Sequence, residues 1–224
     1  ADIFRLSKFS LSFFRTQIAE GSMLPSGKMP YEVFIPAYRD EILSDTVMVY
    51  GNVDEVELVL NGKTIRRQTA DKGPDSDYIP VPNGGNGKNL HFPPFTFYGV
   101  PKERGVLKAV GYHQGKKVAE YTVKTPEVPE RLDITYFESG KPATKNDLLI
   151  VYVRMLDKQG VLCPVNEIPV ELSVQGGEIV GPTSYPLGAG VASFLVRTGE
   201  ISKININATG KGFSTRKSLK VGKE

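Results

Sequence analysis

The sequence predicts an all-β fold, two tandem β-sandwiches behind one short N-terminal helical segment, and three observations predict it. From Asp45 onward, apolar residues recur at every second position in short runs, the period of a strand with one buried face. Asn61-Gly62 and Gln114-Gly115 each stand between two such runs, and Asn-Gly readily takes the positive φ values of a type I′ hairpin turn. Near the middle, TPEVPERL at residues 125–132 carries two prolines and alternating charge, the composition of a stiff linker. A boundary near Glu127 divides the 224 residues into a helical segment and connector at 1–30, a first sandwich at 31–126 and a second at 127–224. Each half is long enough to bury a core of its own.

Residues 2–18, DIFRLSKFSLSFFRTQI, place Ile3, Leu6, Phe9, Phe13 and Phe14 among Arg and Lys, a spacing nearer to helix than to strand. A stripe of that size should not stay in water, since burying each large apolar side chain is worth about 1.5–3 kcal/mol. It is expected to pack on the first sandwich or on a neighbouring copy. Gly21, Pro25, Gly27 and Pro30 then break the helix, and YEVFIPAY reads as a first strand through Val33, Ile35 and Ala37. In EVELVL, Val56, Leu58 and Leu60 face one way and Glu55, Glu57 and Val59 the other. Residues 71–90 are rich in Gly, Pro, Asn and Asp and predict a long surface loop. Strands resume with HFPPFTFYGV and GVLKAVGYHQGKKVAEYTVKT. Beyond the linker come LDITYFE, LLIVYVRMLD, PVELSVQG, VASFLVRTG and KININATG, separated by turn signals such as Asp157-Lys158-Gln159-Gly160 and Gly176-Gly177. Short strands at this spacing argue for a sandwich.

Charge and cysteine usage narrow the function. Lys and Arg number 28 against 25 acidic residues, with the signs interleaved, so the clustered basic patch of a nucleic-acid partner is lacking. Lys211, Arg216, Lys217, Lys220 and Lys223 alternate with Phe213, Leu219 and Val221, as on a strand with one wet face. No window approaches the run of about 18 apolar residues that a membrane span needs. Cys163 is the single cysteine and only His91 and His113 could pair with it. An internal disulfide and a multi-cysteine metal site are excluded, and no cofactor is implied. Beside Pro164, Cys163 reads as a buried structural thiol.

Four features invite a chemical reading. Asp54, Glu55 and Glu57 are the candidate carboxylates, Glu55 and Glu57 sharing one face of a predicted strand and Asp54 lying before them in a turn, and retaining glycoside hydrolysis needs two carboxyl groups about 5 Å apart. An exposed polar face on a half-buried strand explains them without a site, so no catalytic residue is assigned. Gly84-Gly85-Asn86-Gly87-Lys88 suggests a phosphate loop, but Pro82 and Asn89 break that pattern at both ends. Asn207-Ala208-Thr209 fits a glycosylation sequon inside a predicted strand. Sugar sites commonly stack a ring on an exposed aromatic; with no tryptophan present, Tyr38, Tyr50, Tyr98 and Tyr112 are the candidate sugar contacts. A carbohydrate-binding or adhesin-like module is therefore the second reading of the chain.

Tyr50-x-Asn52, Glu55-Val56-Glu57-Leu58, Leu60-Asn61-Gly62 and Gly105-x-Leu107-Lys108-Ala109-Val110-Gly111-Tyr112 occur in order. Together they resemble the immunoglobulin-like β-sandwich that follows the catalytic barrel in bacterial family 2 glycoside hydrolases, the β-galactosidase-like enzymes. Residues 128–224 resemble the next domain of such enzymes, itself similar to invasin-type immunoglobulin-like modules through VRMLDKQG, VELSVQGG and VASFLVRTG. DIFRLSKFSLSFFRTQ is similar to the last helical stretch of the barrel. The resemblance implies a piece of a longer bacterial enzyme, periplasmic or secreted, that hydrolyses a terminal β-linked sugar, commonly galactose. The family's acid/base and nucleophile glutamates would lie upstream of these residues, and no residue of this chain matches their motifs. The chain's own part would be structural, packing against the barrel of the same polypeptide or setting contacts in a homo-oligomer.

Overall fold

A computed structural model of the chain describes residues 8–36, 45–71, 90–137 and 142–222. They form short antiparallel strands and one helix, α1 (Phe9–Thr16). The chain separates into two compact units, dividing between Thr125 and Pro126.

The first unit holds α1, the small hairpin β1 (Met23–Leu24) and β2 (Gly27–Lys28), then β3 (Val33–Phe34), β4 (Val47–Gly51), β5 (Glu55–Leu60) and β6 (Lys63–Thr69). It continues with β7 (Phe95–Phe97), β8 (Val106–His113) and β9 (Lys116–Lys124). Three strands run in the order β3-β4-β7 and four in the order β6-β5-β8-β9. Their inner faces share one core that includes Val33, Val49, Val56, Leu58, Phe95, Phe97 and Leu107. Alternation sorts the side chains: on β5, Val56, Leu58 and Leu60 are buried while Glu55, Glu57 and Val59 are half-exposed. Both hairpin turns carry two successive positive φ values, 52° and 81° at Asn61-Gly62 and 48° and 77° at Gln114-Gly115, the type I′ geometry that matches strand twist.

The second unit holds β10 (Arg131–Tyr136), β11 (Leu148–Leu156), β12 (Pro169–Gln175), β13 (Gly177–Ile179), β14 (Ser184–Pro186), β15 (Val191–Thr198), β16 (Lys203–Gly210) and β17 (Phe213–Lys220). Its two sheets run β10-β11-β15-β13 and β14-β12-β16-β17. Between them lies a core with Ile134, Val151, Val153, Met155, Leu172, Phe194, Ile204 and Ile206. The chain leaves one sheet at Gln175 and enters the other at Gly177. Gly176 makes that switch at φ 85°, and a Cβ there would lie 2.9 Å from the Lys203 carbonyl oxygen, so a side chain is opposed by both conformation and space.

The structure departs from sequence expectation in three places. Within the described residues the helix is Phe9–Thr16, shorter than the periodicity of 2–18, and the Lys8 side chain does not cap it; residues 1–7, with Ile3 and Leu6, lie outside the described set. YEVFIPAY yields only Val33–Phe34 as strand: Pro36 lacks the N–H that would continue a ladder, and Ala37 and Tyr38 lie outside the described residues, as do 72–89 of the long loop. A third type I′ hairpin, Lys211-Gly212 with φ 50° and 80°, joins β16 to β17, and Lys at the first position gives no turn signal.

Candidate functional site

The carboxylates of β5 do meet other polar groups, on the outward face of the β6-β5-β8-β9 sheet. Register sets Glu57 opposite Arg67 of β6 and Val110 of β8, and Glu55 opposite Thr69 and Tyr112. Thr64 donates to Glu57 Oε1 at 2.6 Å and the Tyr112 hydroxyl donates to Oε2 at 2.7 Å. These two hydroxyls, aided by the Arg67 charge, hold the Glu57 carboxyl below the usual carboxylate range. Arg67 Nη2 pairs with Glu55 at 2.5 Å, and its guanidinium lies 3.8 Å from the centre of the Tyr112 ring, a cation–π stack. The bond to Glu57 in turn raises the Tyr112 phenol. A general acid needs a carboxyl raised toward neutrality. Glu57 is moved the other way.

Asp54 closes the β8–β9 turn instead of joining that cluster. One oxygen accepts the Gln114 N–H at 2.8 Å and the other lies 3.1 Å from His113 Nδ1. The Gln114 bond, followed by the His113 contact, keeps its carboxyl low. Tyr31 stacks on the His113 ring with centroids 5.0 Å apart. The arrangement fastens a hairpin end to the connector before β3.

The candidate tyrosines are dispersed over the first unit. Tyr50, on β4, meets Phe13 of α1 edge-on at 4.9 Å and its hydroxyl lies 2.8 Å from Met48 Sδ; burial raises its phenol. Tyr98 follows β7 and is half-buried. Tyr112 stands on the other sheet under Arg67, and Tyr38 lies outside the described residues. Asn207 of the sequon is a half-buried mid-strand residue opposite Ser173 and Arg216. Among the described residues, no group of three or more His, Cys, Asp or Glu is placed to hold a metal ion.

Two buried polar residues that sequence reasoning did not single out for a role organise their units. Asn52 accepts from the Glu32 N–H at 2.6 Å and donates to the Ile18 and Pro30 carbonyls at 3.0 Å each. It thereby ties the connector after α1 to β4. Asp157 is fully buried and accepts from the Glu127 N–H at 2.9 Å and the Val161 N–H at 2.8 Å. Burial pushes its carboxyl up, but backbone donors from Glu127, Val161, Gln159 and Gly160 outweigh burial and leave it below the usual range. Cys163, buried beside this turn, has Sγ 3.6 Å from the Glu127 carbonyl oxygen, and burial pushes its thiol up. That is the setting of an inert thiol. Asp-Lys-Gln-Gly signalled a turn; its burial has no local signature.

Known proteins match parts of the first unit and most of the chain as a whole. Residues 44–119 match a family described as a domain of unknown function (DUF4982). A β-galactosidase from Rhizobium radiobacter is 30% identical over 129 residues, covering 57% of this chain and 92% of that sequence. A β-galactosidase from Thermoanaerobacter pseudethanolicus is 29% identical over 209 residues, which is 88% of this chain and 26% of the relative. The chain thus spans about a quarter of that relative's length. In three dimensions it is similar to a β-glucuronidase from glycoside hydrolase family 2, with TM-score 0.69 and 21% identity, covering 87% of this chain and 20% of that one. At that identity the likeness is one of fold.

Proposed function

Because the chain belongs to the β-galactosidase-like proteins of glycoside hydrolase family 2, we propose that it serves a longer bacterial hydrolase as non-catalytic accessory sandwiches. Its role in this reading is structural, packing beside a catalytic domain that acts on a terminal β-linked sugar. The single observation that carries the reading is coverage: the chain matches about a quarter of the length of a β-galactosidase relative. The carboxylate best placed for chemistry is held below the usual carboxylate range by two hydroxyls and an adjacent guanidinium, which suits a cross-strand network and opposes proton donation. Relatives several times longer than the matched part are named as β-galactosidases, and this supports placing the chemistry elsewhere in the polypeptide.

The test is incubation of the 224-residue chain with chromogenic β-galactoside, β-glucuronide and β-mannoside. No turnover above buffer is expected. Turnover that Glu57→Gln abolishes would overturn the accessory reading. Tyr50, Tyr98 and Tyr112 are the sugar contacts this chain would use if it held glycan, and binding of a galactan that Tyr98→Ala weakens would support the module reading instead. Export to the periplasm or beyond belongs to the same proposal, and fractionation of cells expressing the whole gene tests it.

A further inference from the structure

In the second unit, the outward face of the β14-β12-β16-β17 sheet is polar, and it turns cationic toward β17. Alternation points Lys203, Asn205, Asn207 and Thr209 of β16 outward, while Ile204, Ile206 and Ala208 fill the core. Register sets Lys203 opposite Lys220 of β17, Asn205 opposite Ser218, and Asn207 opposite Arg216. The cations and Ser218 are exposed and the two asparagines half-buried. Ser218 donates to Asn205 Oδ1 at 2.7 Å. On β12 the rows continue with Gln175 beside Asn205 and Ser173 beside Asn207, and Glu171 stands opposite Thr209 at the far end.

Two features of this face work against the fold. Lys203 and Lys220 directly oppose one another, and like charges on facing positions of an antiparallel pair destabilise it. A local rule broken in this way is expected at a functional position. The cations also lack counter-charges. On the other sheet of the unit Arg154 pairs with Asp133 and Arg197 with Glu178, whereas among the described residues no carboxylate pairs with Lys203, Arg216 or Lys220. The Asn207 amide, beside Arg216, likewise makes no side-chain hydrogen bond among the described residues.

We infer that this face binds an acidic glycan, a chain of sugars bearing carboxylates, with Lys203, Arg216 and Lys220 taking the carboxylates and Asn205, Asn207 and Ser218 the sugar hydroxyls. Arg216 and Lys220 lie four residues apart on one strand, about 13 Å, with the neutral row of Asn205 and Ser218 between them. A polymer lying along β17 therefore meets charge, then amide and hydroxyl, then charge again. The guanidinium offers a planar fork that fits a carboxylate through two parallel hydrogen bonds, and an asparagine amide both donates and accepts, as a sugar hydroxyl requires. Other polyanions fit less well. β16 and β17 present no outward aromatic on which a nucleic-acid base would stack, and no outward apolar side chain that would enter a lipid surface. The face belongs to the second unit alone and does not depend on what the longer polypeptide hydrolyses.

The experiment titrates the 224-residue chain with oligogalacturonate, with neutral galactan and polyglutamate for comparison. Lys158→Gln, at an exposed turn lysine of the same unit, is the control variant. Oligogalacturonate should bind at low salt and weaken as salt is raised, and neutral galactan should not bind this face. The pair Arg216→Gln and Lys220→Gln should weaken oligogalacturonate about tenfold or more. Its melting temperature should hold or rise, because Lys203 then loses the charge it faces. Asn207→Ala should weaken oligogalacturonate about threefold or more and leave polyglutamate, which has carboxylates but no hydroxyls, unchanged. The control should change neither. No binding of oligogalacturonate at low salt overturns the assignment. Polyglutamate bound as tightly, with Asn207→Ala without effect on either polymer, reduces the face to a positive field and overturns it too. Tighter capture of anionic-lipid vesicles or single-stranded DNA, abolished by the pair, gives the face to a different polyanion with the same consequence.

Discussion

Glu57 in the first unit and Asp157 in the second are both carboxylates held below their usual range, by opposite means. Glu57 lies on an outward sheet face and is held by two side-chain hydroxyls, each on a strand paired with its own. Asp157 has no exposed surface and is held by backbone N–H groups of its own turn and of Glu127. Hydroxyls can reorient, donating or accepting as needed, whereas backbone donors are fixed and always require an acceptor. The residue that looks like chemistry in the sequence is therefore replaceable, and the one that looks like an ordinary turn is not.

Substitution at Asp157 should break the comparison most sharply. Asp157→Asn sets an amide N–H₂ against fixed backbone donors in a buried site, and a loss of about 2–4 kcal/mol is expected, read as a lower melting temperature for the second unit. The pH dependence has a definite sign. A carboxyl lowered in the folded state contributes stability that is fully present above its unfolded pKa of about 3.9 and lost as pH falls through the folded value. The wild-type chain should lose stability below about pH 4, with a shallower acid slope in Asp157→Asn. If the variant melts like the wild type across the acid range, the buried-acceptor account of Asp157 is wrong.

Asn52→Ala probes the first unit's counterpart, a buried side chain that also satisfies fixed backbone groups. Leaving the Glu32 N–H and the Ile18 and Pro30 carbonyls without it should cost about 1–3 kcal/mol. Proteolysis should then reach the connector at 18–32 before the sheets open, and a cut pattern unchanged from wild type would deny Asn52 its tethering role.

Glu57→Gln should do least. The Gln side chain keeps a carbonyl for one hydroxyl, and the other can turn to accept, so a change of about 0.5 kcal/mol or less is expected at this partly exposed site. A denaturant midpoint displaced as far as that of Asp157→Asn would place Glu57 among the residues the fold depends on and erase the contrast.

How much was legible follows from how far each feature reaches along the chain. The strands of EVELVL and KAVGYH and the turns at Asn61-Gly62 and Gln114-Gly115 were readable because alternation and positive φ are local properties of the backbone. The candidate carboxylates were nameable for the same reason, since Glu55 and Glu57 share a face by period alone. Their environment was not readable: Tyr112 reaches Glu57 across 55 positions in sequence, and only strand register brings it there. LLIVYVRML in β11 shows the limit from another side, for Tyr152 is buried on the face that alternation assigns to solvent.

By itself, then, the sequence determined that the chain is all-β, where its tightest hairpins turn, and which enzymes it is related to, because propensity, turn chemistry and motif order are written in neighbouring residues. Tertiary structure alone decided that Glu57 is held below the usual carboxylate range, that Asp157 and Asn52 hold their units, and that α1 spends one apolar side on the sandwich while the other faces out. Those outcomes depend on burial and on partners distant in the chain. A side chain's environment exists only after the sheets have closed around it.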